Sequence, residues 1–238
     1  MAAPPRPAYA SPAVESLTPP YLLLAAPILS DPNFERTVVL MGHHSEEGAV
    51  GWIVNRLVEG GAKALLPEEV SRTMNPATPL RIGGPVATPG LIVVHRETID
   101  GIESIAMAPG LVVSATPEVL PLVFGGADAP GPARGLLVFG YSGWGPGQLE
   151  HEMEEGSWLV LPYDPALAFP DDVSGLWEKA LAQPGVSPAR VSHQSRRRVA
   201  LSTGILLKAD HFAGDRRGDA DAAARDHAAG EFVDLQRA

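Results

Sequence analysis

Leu136-Leu137-Val138-Phe139-Gly140-Tyr141-Ser142-Gly143-Trp144-Gly145-Pro146-Gly147-Gln148-Leu149-Glu150 passes from strand-like to helix-like pattern through a run of glycines. An apolar run enters a glycine-rich segment and leaves it as an acidic, helix-like one. Glycine lets the backbone adopt shapes that a Cβ forbids and lets another group come close. Pro146 suits a first helical turn, where its missing N–H is no loss. The segment therefore reads as strand, tight loop and helix start, a geometry able to hold an anion, a nucleophile or a partner's side chain.

Working outward, further strands are predicted at Tyr21–Ala26, Thr37–Met41, Ala49–Asn55, Leu91–His95, Leu111–Ser114 and Trp158–Leu161. His43–Gly48 reads as a polar hairpin turn joining two of them. Helices are predicted around Glu68–Met74, at Pro117–Phe124, at Gln148–Glu155 with Gly156 as the stop, and at Asp172–Leu181. This mixture gives an α+β fold: a single compact domain with a mixed, mostly antiparallel sheet flanked by helices. Residues 1–17, rich in Ala, Pro and Ser, read as a disordered leader, 18–185 as the domain, and 186–238 as a partly disordered C-terminal extension. That extension holds a possible strand at Val199–Leu207 and the basic cluster Arg196–Arg198.

The chain has 238 residues, 45% of them hydrophobic, enough for a substantial core. Its formal net charge is −10, which disfavours direct nucleic-acid binding and attraction to anionic membranes. It contains no cysteine, which excludes disulfides and thiolate chemistry. The apolar stretch Tyr21–Leu29 is too short to span a bilayer, and a cytoplasmic location is expected.

Several residue groups carry possible chemistry. Gly140-Tyr141-Ser142-Gly143-Trp144 approximates a G-x-S-x-G nucleophile elbow but ends in tryptophan. Gly143, Gly145 and Gly147 can aim backbone N–H groups at an anion, although Glu150, Glu152, Glu154 and Glu155 follow and repel phosphate. The plainer reading makes those acids the solvated face of a helix. His43-His44-Ser45-Glu46-Glu47 has metal-ligand character, but adjacent strand residues face opposite ways; no metal or cofactor is expected. Arg56 pairs with a carboxylate such as Asp31 or meets an anionic ligand.

Four segments taken together resemble the bacterial YqgE/AlgH family. They are Pro27 to Val38 with Asp31-Pro32, Phe34 and Arg36-Thr37; Gly48 to Arg56; Gly83-Gly84-Pro85-Val86 with His95 following; and Gly140 to Glu150, continued by Gly156-Ser157-Trp158. The resemblance spans about residues 17–185. It implies a compact α+β cytosolic protein of a family labelled as transcriptional regulators, without an established activity, so no catalytic residue carries over. Asp31, Asn55, Arg56, Gly84, Pro85, Tyr141, Ser142, Trp144 and Gln148 occupy its signature positions and are the candidate binding residues. They are expected to converge on one cleft around the glycine loop, with Trp144 and Tyr141 supplying apolar contact. The expected partner is a protein or a small ligand, and an exposed strand edge can support a homodimer. The alternative is a hydrolase or transferase using Ser142 in the same cleft, which requires a histidine or carboxylate within hydrogen-bond reach of that hydroxyl.

Overall fold

The computed structural model of the chain describes residues 17–188 except 65, 76, 126–134 and 185. The predicted leader (apart from Leu17), most of the loop at 125–133, the Val199–Leu207 strand and the Arg196–Arg198 cluster lie outside the described residues.

In chain order the elements are β1 (Tyr21–Ala25), β2 (Val38–Ser45), β3 (Gly48–Ile53), a 3-10 turn (Gly61–Ala64), α1 (Glu68–Ser71), β4 (Leu80–Ile82), β5 (Val86–His95), β6 (Ile105–Ala108), β7 (Leu111–Ser114), α2 (Val119–Phe124), β8 (Gly135–Trp144), α3 (Gln148–Glu154), β9 (Trp158–Pro162), α4 (Pro165–Ala168), α5 (Leu176–Leu181) and β10 (Ser187–Pro188). The sheet runs β10-β9-β1-β2-β3-β8-β5-β7-β6. Every pairing along that path is antiparallel, and β4 lies parallel to β8. The fold is thus a single α+β domain with a mixed, mostly antiparallel sheet.

Successive strand residues face opposite sides. The five residues of β1 are all buried, so both faces of the sheet are covered here. Leu22 and Leu24 pack with Val38, Leu40, Val94 and Val138, beneath α4 and α5. Leu23 faces the other way, with Val39, Met41, Ile53 and Val160 beneath α3. Further along that second side, Leu80, Val93 and Leu137 pack against α2.

The central strand β8 departs from the predicted strand–loop–helix reading. Gly140, Ser142 and Gly143 lie within the strand, and the loop is confined to Gly145–Gly147 before α3. Gly140 has φ +73°, and β5 shifts register against β8 between Val86 and Leu91. Face alternation slips there: Val138 and Tyr141, three residues apart, join the same cluster.

Other boundaries also differ. His43 and His44 belong to β2, so the hairpin turn is shorter than predicted. The helix expected from Asp172 starts only at Leu176, because Gly175 stands before it in the left-handed conformation. The short elements β4, β6, α4 and β10 carry too little periodic pattern to be predicted.

Candidate functional site

The four signature segments meet around the C-terminal half of β8. Gly83 and Gly84 leave β4 and cross β8 at close range. The Gly83 N–H donates to the Phe139 carbonyl and its own carbonyl accepts from Ile53 N–H, both at 2.8 Å. A Cβ on Gly84 would collide with the Tyr141 carbonyl group and the Ser142 nitrogen. Glycine is required by that approach of two backbones.

Ser142 lies directly beneath this crossing. It is 0% exposed, and its hydroxyl donates to the Gly83 carbonyl at 3.1 Å. Among the described residues neither a histidine nor a carboxylate is bonded to it. The Ser142-nucleophile reading is thereby corrected: among the described residues no base is placed to activate this buried hydroxyl, which is engaged by a backbone carbonyl.

The Asp31 segment is a tight turn. The Asp31 carboxylate accepts from Asn33 N–H at 2.7 Å, and its carbonyl accepts from the Phe34 and Glu35 N–H groups. Asn55 ties this turn to the sheet: its carbonyl oxygen accepts from Val38 N–H and its amide donates to the Arg36 carbonyl, both at 2.9 Å. Arg56 donates to the Glu35 carbonyl at 3.2 Å. Partial burial pushes the Arg56 guanidinium pKa down, and the charges of Asp31 and Glu35 oppose that push. Arg36, at φ +55°, pairs with Glu178 and lies over the Trp177 ring at 5.0 Å.

Phe34 links this turn to the glycine segment. It stacks on Trp144 at 6.0 Å and meets Trp158 edge-on at 5.3 Å, and the two indoles contact each other at 5.8 Å. Trp144 is only 5% exposed. It supplies core packing, a correction to the expectation that it offers contact area to a partner. Glu152, read from sequence as a solvated helix acid, is half-buried against these rings. One of its oxygens accepts from both Trp144 Nε1 at 2.9 Å and Trp158 Nε1 at 2.8 Å. Its other oxygen accepts from Gln148 at 2.9 Å, and Gln148 in turn accepts from Gly145 N–H. Two tryptophans flanking an acidic helix were the only sequence signal for this cluster.

The histidines separate as strand alternation requires. His43 bonds Ser45 at 3.1 Å, and burial pushes its pKa down. His44 lies between Tyr21 and Glu150, 2.9 Å from each. A carboxylate can only accept, so His44 Nε2 is the donor to Glu150. Burial, reinforced by the Glu150 charge, raises the Tyr21 pKa. Among the described residues no group of three His, Cys, Asp or Glu is placed to hold a metal ion.

Of the nine signature residues, Gly84, Ser142, Trp144 and Asn55 serve internal contacts. Asp31, Pro85 and Gln148 remain exposed, and Arg56 and Tyr141 partly so. Two clefts occur elsewhere. One is lined by Arg81, Thr78 and their neighbours, the other by Leu161–Pro165 with Gln183. None of the nine lines either cleft. Among the described residues no helix is long and apolar enough to cross a membrane.

Residues 22–189 match a family model described as AlgH-like. A UPF0301 protein of Ruegeria pomeroyi is 38% identical over 175 residues, covering 72% of this chain and 94% of the relative. Another, from Anaeromyxobacter dehalogenans, is 37% identical over 179 residues, covering 71% and 89%. The solution structure of the AlgH protein from Pseudomonas aeruginosa superposes with a TM-score of 0.51 at 30% identity, covering 69% of this chain and 88% of that one. A crystal structure of a Corynebacterium diphtheriae protein gives a TM-score of 0.52 at 27% identity, covering 70% and 87%.

Proposed function

Since this chain belongs to the AlgH-like family, we propose that it works as a non-enzymatic regulatory or adaptor protein of the cytoplasm. It binds a protein partner or small ligand at the surface around the Gly145–Gly147 turn. The observation that carries this reading is how the motif's polar groups are used. The Ser142 hydroxyl, the Asn55 amide, the Trp144 indole and the Glu152 carboxylate are all engaged internally. Such a motif builds a rigid shape without a reactive centre. What it offers outward is Asp31, Arg56, Pro85, Tyr141 and Gln148. Any role in transcription is indirect, because a chain of net charge −10 has no general attraction for DNA.

The test is affinity capture from native cytosol, with and without nuclease, using wild type and the surface variants Pro85→Lys and Gln148→Ala. A partner that survives nuclease and is lost from the folded variants supports the reading. Capture of nucleic acid alone, or a partner equally retained by both variants, would overturn it.

A further inference from the structure

Arg81 is the middle residue of β4, held between Val138 of β8 and a bridge to Leu57, and it is only 3% exposed. A guanidinium keeps its charge at any physiological pH, and burying one is costly unless an anion faces it. The partners of Arg81 are two neutral carbonyls. Nε donates to Val54 and Nη2 to Pro170, each at 2.9 Å. Among the described residues no carboxylate pairs with it and Nη1 has no partner. Burial lowers its pKa to about 10, opposed only by the through-space charge of Asp171.

The same side chain lines a cleft of about 180 Å³ together with Asn75, Thr78, Phe124, Leu136 and Phe169. The Asn75 side-chain oxygen accepts from Ala77 N–H at 2.9 Å. Among the described residues no partner is bonded to Arg81 Nη1, the Asn75 NH₂ or the Thr78 hydroxyl, three donors on residues that line this cleft. Phe124, Leu136 and Phe169 give it an apolar side, and its one acid among the described residues, Asp171, is an exposed residue of the lining. The volume falls below the roughly 300–1,000 Å³ of sites for larger ligands.

We propose that this cleft binds the carboxylate of a small organic acid with a short apolar body. The carboxylate meets Arg81, Asn75 and Thr78, and the body lies against Phe124 and Phe169. The negative charge of Asp171 disfavours a phosphate dianion. The site shares no residue with the glycine turn, so each proposal fails or holds independently of the other.

The test is an NMR titration of the full chain with butyrate, at ionic strength held constant by chloride. Butyramide serves as the uncharged control and inorganic phosphate as the competing anion. Butyrate is expected to shift the Arg81 Nε–H and Thr78 resonances, and butyramide to leave them unmoved. Arg81→Met should abolish the response, but it also removes two internal hydrogen bonds, so two further variants carry the test. Thr78→Val should weaken butyrate about fivefold by removing one donor. Asp171→Asn should tighten it about threefold by removing a like charge. Absence of saturable butyrate binding, equal response to butyramide, or indifference to both variants would overturn the proposal. Tighter binding of phosphate than of butyrate would overturn the assignment of ligand class.

Discussion

Replacing Glu152 with alanine removes a carboxylate shared by two buried indoles. Trp144 and Trp158 both donate to the same Glu152 oxygen, and both are nearly inaccessible to solvent. Leaving a buried donor unpaired costs about 1–3 kcal/mol, so two such donors give roughly 2–6 kcal/mol. Glu152 is itself only half-buried, and the shortened side chain admits some water to the indoles. That draws the expectation to the lower half of the range, about 3 kcal/mol. For a domain of this size the loss corresponds to a fall in Tm of about 6–12 °C. The controls are Glu154→Ala at the end of α3 and Glu155→Ala just after it, both exposed, which should stay within about 0.5 kcal/mol of wild type. Urea unfolding followed by tryptophan fluorescence reads both stability and the environment of the two rings. If Glu152→Ala cost no more than Glu154→Ala, the shared carboxylate would not be holding the aromatic cluster and the reasoning would be refuted.

Gly84→Ala forces a Cβ into the backbone of Tyr141 and Ser142, and since backbone cannot swing aside the cost should reach about 3 kcal/mol; a neutral result in denaturant unfolding would show that the crossing relaxes. Ser142→Ala removes one neutral hydrogen bond while the Gly83 carbonyl keeps Ile53 N–H, so stability should fall by about 1 kcal/mol with ligand capture intact; loss of capture by the folded variant would count against a purely structural serine. The buried His95 ring donates from Nδ1 to the Glu97 carbonyl and bonds Ser114 through Nε2, and burial holds its folded pKa below the ordinary 6.5. Its contribution is therefore complete above pH 6.5 and is lost as the pH falls toward the folded value, because the unfolded chain takes up the proton first. Urea midpoints at pH 7.5, 6.0 and 5.0 should decline more steeply for wild type than for His95→Gln, and parallel declines would exclude His95 as a cause.

Legibility differed from residue to residue. The strands β1, β3, β7 and β9 were readable because apolar and β-branched runs bounded by turn residues suit a strand. The stop after α3 was readable because Gly156 takes a positive φ. The four signature segments were visible as linear patterns, but the burial of their side chains was not. Gly140 to Gly143 has the composition of a loop, yet it is strand, because β3 and the start of β5, distant in the chain, pair with it.

Glu150, Glu152, Glu154 and Glu155 are alike in sequence. Which of them bonds two tryptophans depends on the angle at which α3 lands beside β9. In sequence Arg81 is one charged residue between Leu80 and Ile82, and only tertiary packing encloses it beside a cleft. The α+β class, the acidic net charge, the absence of thiol chemistry and the family resemblance follow from composition and local pattern. That Ser142 is sealed, that Trp144 is core, that Glu152 bonds two indoles and that Arg81 lines a cleft emerges only when distant segments pack together. Burial and hydrogen-bond pairing are set by segments distant in the chain, which no local pattern specifies.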